Sequence, residues 1–327
     1  VNVPIGLAAA AGFWFFLHEA PTVRRSSIDM VGAVLFTIGI AALMIALTEF
    51  GVGNSGVALA WAGLFAFTLV LFIAQERRAA DPMVSLRLWG ARMIAIVNGA
   101  AMLAGMALIG ITTFLPMYVQ VVLERSSVTA GLTLTMVMLG WPIGATLTSR
   151  TFHRIGLWRM VVTGAALIPV GASTFVLLDA GSSPVLPAVG SFIIGLGMGV
   201  MSLSSLILIQ EGVDLAQRGI ATASNVFSRN LGSALGAAFF GAVFNFGLTH
   251  GDGRPMFSDE QLRMLLQGVH GSVADDSAIR LALGGSLHLT FVAMLVVSLG
   301  VIALALLLPR EGLVESRAVA GGEAAPK

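Results

Sequence analysis

Nine apolar segments, each about long enough to cross a bilayer, run in series along the chain with short polar breaks between most of them. They occupy 1–17, 30–48, 57–74, 93–119, 128–148, 160–178, 184–209, 219–247 and 287–309. An α-helix rises ~1.5 Å per residue and the hydrocarbon layer is ~30 Å thick, so ~20 residues suffice to span it. Segments of this length predict helices rather than the ~10-residue alternating strands of an outer-membrane barrel. Apolar residues make up 57% of the chain and Asp, Glu, Lys and Arg only 11%, more apolar surface than a soluble domain can hide. The expected fold class is an all-α polytopic transmembrane bundle.

The breaks set an orientation. Taken alternately, one side collects Arg24, Arg25, Arg77, Arg78, Arg87, Arg92, Arg150, Arg154, Arg159, Arg218, Arg310, Arg317 and Lys327. The other side has Arg125, Arg254, Arg263 and Arg280. By the positive-inside rule the thirteen-residue side is cytoplasmic, the C-terminus included, which predicts a multi-pass protein of the cell membrane. The net charge of +1 is a sum over this asymmetry and predicts no nucleic-acid partner.

Several chemistries have no residues to run on. Cysteine is absent, which excludes disulfides, thiolate metal sites and thiol catalysis. His18, His153, His250, His270 and His288 never stand at the i, i+4 spacing of a helical metal pair, so no metal or other cofactor is expected. Acidic residues fall in breaks, in the tail or at segment ends, and no phosphate-binding glycine loop is present. The chain reads as no enzyme.

Its organisation is uneven. Residues 1–29 hold the first apolar segment and a polar linker, and 30–92 a two-helix hairpin turned at 51–56 with a second polar linker. Six segments follow over 93–309, then a Gly-, Ala-, Pro- and Glu-bearing tail over 310–327 that predicts disorder. Within the six, the first and last three run in opposite orientation, as an inverted repeat requires. The start at Val1, inside an apolar run without an initiator Met, predicts a missing N-terminal part.

Three stretches carry a family resemblance. The opening Asn2-Val3-Pro4-Ile5-Gly6 resembles the signature of the sixth span in 14-span drug:proton antiporters of the major facilitator superfamily, the EmrB/QacA type. The eighth segment resembles that family's pattern through Arg218, Gly219, Ala221, Ala223, Asn225, Arg229, Gly232 and Gly236. The break SRTFHRIGLWRM is similar to the superfamily's cytoplasmic loop motif at Arg154, Gly156 and Arg159, with Arg150 beside it, but His153 stands where Asp is expected. That departure puts the loop's gating salt bridge in doubt. On this resemblance the nine segments correspond to family helices six to fourteen, and 30–92 to the pair inserted between two six-helix halves. The implied function is proton-coupled efflux of amphipathic organic compounds, with membrane lipid, protons, a small organic substrate and the missing N-terminal helices as partners. Export of a single metabolite or antibiotic and a non-transporting scaffold are the alternatives.

Individual residues sharpen this. Arg229 is the one charge well inside a segment, a costly position normally paired or facing water. It either meets substrate or a coupling acid, or ties its helix to carbonyls or to a carboxylate such as Glu211. Gly232 with Gly236, and Gly140 with Gly144 around Trp141-Pro142, form small-residue faces that allow close helix approach or a rocking contact. A cavity for lipophilic cargo needs adaptable apolar walls with a few polar groups. The expected lining is Asn98, Met102, Tyr118, Trp141, Gln210 and Asn225. In the long break near the C-terminus, Ser258 and Gln261 begin a short amphipathic helix with Leu262, Leu265, Leu266 and Val269 on one face.

Overall fold

The computed structural model describes residues 2–16, 29–79, 84, 86–250 and 273–309. The expected surface helix after Ser258 and the C-terminal tail lie outside these. Among the described residues there are ten α-helices: α1 Asn2–Phe16, α2 Met30–Gly51, α3 Ser55–Glu76, α4 Leu86–Trp89, α5 Arg92–Met117, α6 Ser127–Ile155, α7 Leu157–Val176, α8 Val185–Glu211, α9 Arg218–His250 and α10 Val273–Leu306. A π-turn, Tyr118–Val122, extends α5. The protein is an all-α polytopic bundle: among the described residues eight helices are long and apolar enough to cross a membrane.

The first apolar segment is helical over Asn2–Phe16, the part of it that is described. One boundary differs from expectation: the last helix begins at Val273 rather than near 287.

Lipid tails are as apolar as Leu, so burying Leu gives little drive for helices to associate in a membrane, and close packing through small residues takes over. The centre of the bundle shows this. Along α8, Gly195 and Gly199 lie four residues apart on one face, while Gly190 and Gly197 lie on another, about 200° round from Gly195 at ~100° per residue. The first face meets α6: a Cβ at Gly199 would lie 2.8 Å from the Ala145 nitrogen, and one at Gly140 2.7 Å from that of Leu196. The second meets α7, where Gly197 sits against the Gly164 carbonyl and Gly171 against that of Gly190. Helix α8 is therefore the middle of a three-helix layer, α6–α8–α7.

Beside this layer α5 pairs with α9, and α10 packs against α5, α7 and α9. Phe291 of α10 lies in the core between Tyr118 and Phe175, at ring distances of 5.4 and 5.6 Å. Trp158 at the start of α7 donates its indole N–H to the Leu308 carbonyl (3.1 Å), and Ser286 of α10 donates to the Phe244 carbonyl. The hairpin α2–α3 docks chiefly through α2, onto α9. Its contacts include Phe36 on Phe227 (5.2 Å) and Gly51 against the backbone of Ala242. The arginines assigned above to one side all fall at one end of the bundle where they are described, called here the Arg-rich end.

Candidate functional site

Arg229 lies eleven residues into α9, ~16 Å from the start of the helix at Arg218. Its main chain is pinned. The Arg229 carbonyl occupies the space a side chain at Gly105 of α5 would need, and Ser233 donates to the carbonyls of both Gly105 and Arg229 at 3.2 Å. The guanidinium reaches away from this crossing to the face of Trp141 on α6, with Cζ 5.8 Å from the ring centre, a cation–π contact. Trp141 is placed by the other glycine crossing, where Gly199 of α8 leaves room for its carbonyl. Two backbone contacts made by glycines thus aim one side chain from each helix layer at the same spot, and both side chains are partly buried. One turn away, Met138 and Val226 are exposed by 58% and 39%.

The tie from Arg229 to Glu211 is not made. An ion pair joins Arg280 to Glu124 at the opposite end of the bundle, and among the described residues no carboxylate pairs with Arg229. Glu211 closes α8 at the Arg-rich end, a full ~16 Å along the bundle from Arg229, and is exposed there.

The polar candidates divide into two groups. Asn98 and Asn225 are fully and almost fully buried, and Asn225 donates through Nδ2 to Asn98 Oδ1 at 3.1 Å. Asn98 Nδ2 in turn donates to Ser224 Oγ (3.0 Å), which also accepts from the Trp89 indole at 2.9 Å. These groups face one another across the α5–α9 crossing and satisfy one another, binding the linker helix α4 into the same junction. Trp89 and Ser224 escaped the sequence reading. A Trp near a membrane boundary is a weak signal of anchoring, and Ser224 gives none. Gln210 donates to Thr222 Oγ1 (3.2 Å), joining α8 to α9 near the Arg-rich end.

Met102 is partly buried where its backbone meets Gly232, and Met106 stands one turn on against Gly236. Tyr118 is not brought to the Arg229–Trp141 contact; it is 3% exposed in the core, edge-on to Phe291. Of the six expected cavity residues, the structure gathers Trp141 with Arg229, pairs Asn98 with Asn225, and leaves Gln210, Met102 and Tyr118 at three other places.

The loop residues form a tight corner. Gly156 alone separates α6 from α7 and adopts φ +92°, a conformation that favours glycine. Arg150, His153, Arg154 and Arg159 are exposed around it, with the His153 ring 3.6 Å from that of Phe152. Arg218 and Gly219 are exposed at the start of α9. On α1, Pro4 and Gly6 are exposed, and nothing described lies within 4 Å of a Cβ placed at Gly6; Asn2 opens the same helix. A recess of ≈ 510 Å³ at the Arg-rich end is bounded by Leu88, Ala91, Glu211, Asp214 and Gln217.

Comparison with known proteins gives this geometry a context. No family model matches the chain. It is similar to the multidrug transporter protein MdtP of Bacillus subtilis, 26% identical over 248 residues, which cover 75% of this chain and 46% of that protein. An MFS-type transporter of Mycobacterium tuberculosis is 27% identical over 253 residues, 75% of this chain and 36% of the relative. The lincomycin resistance protein of Streptomyces lincolnensis is 28% identical over 247 residues, 74% and 51%. The chain spans about half or less of the length of these relatives. Its homologues are transporters of the major facilitator type, several of them named for multidrug transport or resistance.

Proposed function

We propose that this chain is the C-terminal portion of a 14-span major-facilitator exporter that moves amphipathic organic compounds out of the cell in exchange for protons. The six helices from α5 to α10 form one half of the translocation unit, and α2–α3 is the inserted pair. The observation that carries this reading is the mid-depth contact of Arg229 and Trp141. It joins two separately packed helix layers and borders an uncovered face, in a bundle whose relatives are multidrug transporters. A charge at this depth is retained where it meets a partner or an aqueous path. The relatives' extra length supplies the opposing half of the cleft, and with it the groups that carry the proton. The Arg-rich end, C-terminus included, faces the cytoplasm.

The test is transport by the full-length protein containing this chain. Inverted vesicles are energised with a proton gradient in the presence of each of several fluorescent amphipaths, anionic and cationic, and uptake is followed before and after an uncoupler. Uptake that collapses with the gradient is the expected result. Uptake that survives the uncoupler but requires ATP, or no uptake of any of several unrelated amphipaths, overturns the reading.

A further inference from the structure

The described acids leave Arg229 without a counter-charge, and the geometry around it is that of a binding group. Its backbone is fixed at Gly105, its guanidinium is oriented by Trp141, and its side chain is partly open. A guanidinium is planar, stays charged at every accessible pH, and presents its donors in a fork that matches a carboxylate. A guanidinium held over an indole face still has N–H donors to offer an anion. At a partly buried position such a charge-assisted bond is worth more than it is in bulk water.

We infer that Arg229 and Trp141 form a cargo site for amphipathic compounds carrying a carboxylate next to an aromatic or other flat apolar body. Arg229 takes the carboxylate, and Trp141 takes the flat body while holding the guanidinium in register. One turn from Trp141 on the same helix, exposed Met138 offers the apolar remainder a polarizable, adaptable surface. The same site disfavours lipophilic cations, which meet an unpaired positive charge. Asn98 does not orient cargo, because both its amide atoms are spent on the α5–α9 junction, where Asn225 also commits its Nδ2. This inference rests on the export reading and adds the class of cargo to it.

The experiment uses a matched pair of probes, pyrenebutyrate and its trimethylammonium counterpart, on the full-length protein. Binding is read in detergent by quenching of tryptophan fluorescence, and export is read in energised inverted vesicles. The wild type is expected to bind and export the carboxylate in preference to the cation. Arg229→Gln should lower the carboxylate-to-cation ratio at least ~10-fold in both assays, the loss of one charge-assisted contact. Arg229→Lys should restore part of that ratio, since it keeps the charge without the fork. Trp141→Leu should weaken the carboxylate probe with a smaller change in ratio. Folded yield, read by size-exclusion chromatography, separates these effects from misfolding. An unchanged ratio in Arg229→Gln, or an equal loss of both probes at normal yield, overturns the anion site. Selective binding without gradient-driven uptake overturns the transport reading and leaves the site standing.

Discussion

The hairpin α2–α3 is built from more apolar sequence than the layer α6–α8–α7, yet it is the less buried of the two, and the two are held in opposite ways. In α8 61% of the most apolar stretch is buried within the protein, against 22% in α2 and 17% in α3. The layer is laminated through glycines on two faces of α8, so each helix backbone rests on the next. The hairpin closes on itself through Gly39 against Thr68, a Gln75–Asp29 hydrogen bond of 3.1 Å and an Asn54–Glu49 bond at its turn. It then meets the rest of the bundle at Phe36 and Gly51. In a membrane, apolar character says only that a helix is inserted; the spacing of small residues says which helices touch.

The largest effect should come from placing the same side chain in both regions. At Gly199 a Leu has no room, because the Trp141 carbonyl and the Ala145 nitrogen occupy its space, and overpacking costs ~1–3 kcal/mol or more. At Gly63 of α3 nothing lies within 4 Å. Gly199→Leu should therefore cut the folded yield in detergent severely, with Gly63→Leu close to wild type. Equal loss in the two variants would erase the contrast between the regions.

An intermediate effect is expected at the α5–α9 junction, which adds hydrogen bonds to glycine packing. Asn98→Leu leaves the amide of Asn225 buried without its partner, a loss of ~1–3 kcal/mol by soluble-protein measure and nearer ~0.6 kcal/mol if membrane averages hold. Asn225→Leu added to it should cost less than the sum of the single changes. A thermal-unfolding double-mutant cycle reads this coupling, and strict additivity would mean the two amides act independently.

The smallest effect belongs to the hairpin. Phe36→Ala removes the rings' contact with Phe227, worth roughly 0.5–1.5 kcal/mol. Unfolding of the bundle should shift little, while protease cutting in the linker after α3 should accelerate. A large drop in bundle stability would make the hairpin an integral part of the core.

How far the sequence carried this picture varies with the range of the interaction. The long apolar helices and most of their limits were legible because apolar runs are local, and α2, α6 and α8 begin within a residue of the expected positions. The start of α10 was missed because helix formation continued past the apolar stretch. The π-turn after α5 gave no signal beyond Pro116, whose missing N–H interrupts the helix ladder one turn earlier. That the glycines of α8 form two faces for two partners depends on contacts across the chain. The same holds for Asn98 and Asn225: buried polar residues were visible, their mutual pairing was not. Arg229 stood out as an intramembrane charge, whereas its meeting with Trp141 required the two glycine crossings to be in place.

The export reading requires the face bearing Arg229 and Trp141 to border a water-filled cleft in the full transporter, not lipid. This chain has no cysteine, so single ones can be introduced into it once any elsewhere in the transporter are replaced. Single cysteines at Met138 and Val226, one turn from Trp141 and Arg229, are compared with one at Val170 of α7, where exposure is 53%. Ionised thiols in water react with a small charged methanethiosulfonate, whereas thiols in hydrocarbon do not. Rapid modification of Met138→Cys and Val226→Cys is expected, slowed by pyrenebutyrate, with Val170→Cys inert. Inert cysteines at both Met138 and Val226, or equal reactivity at all three positions, would contradict it.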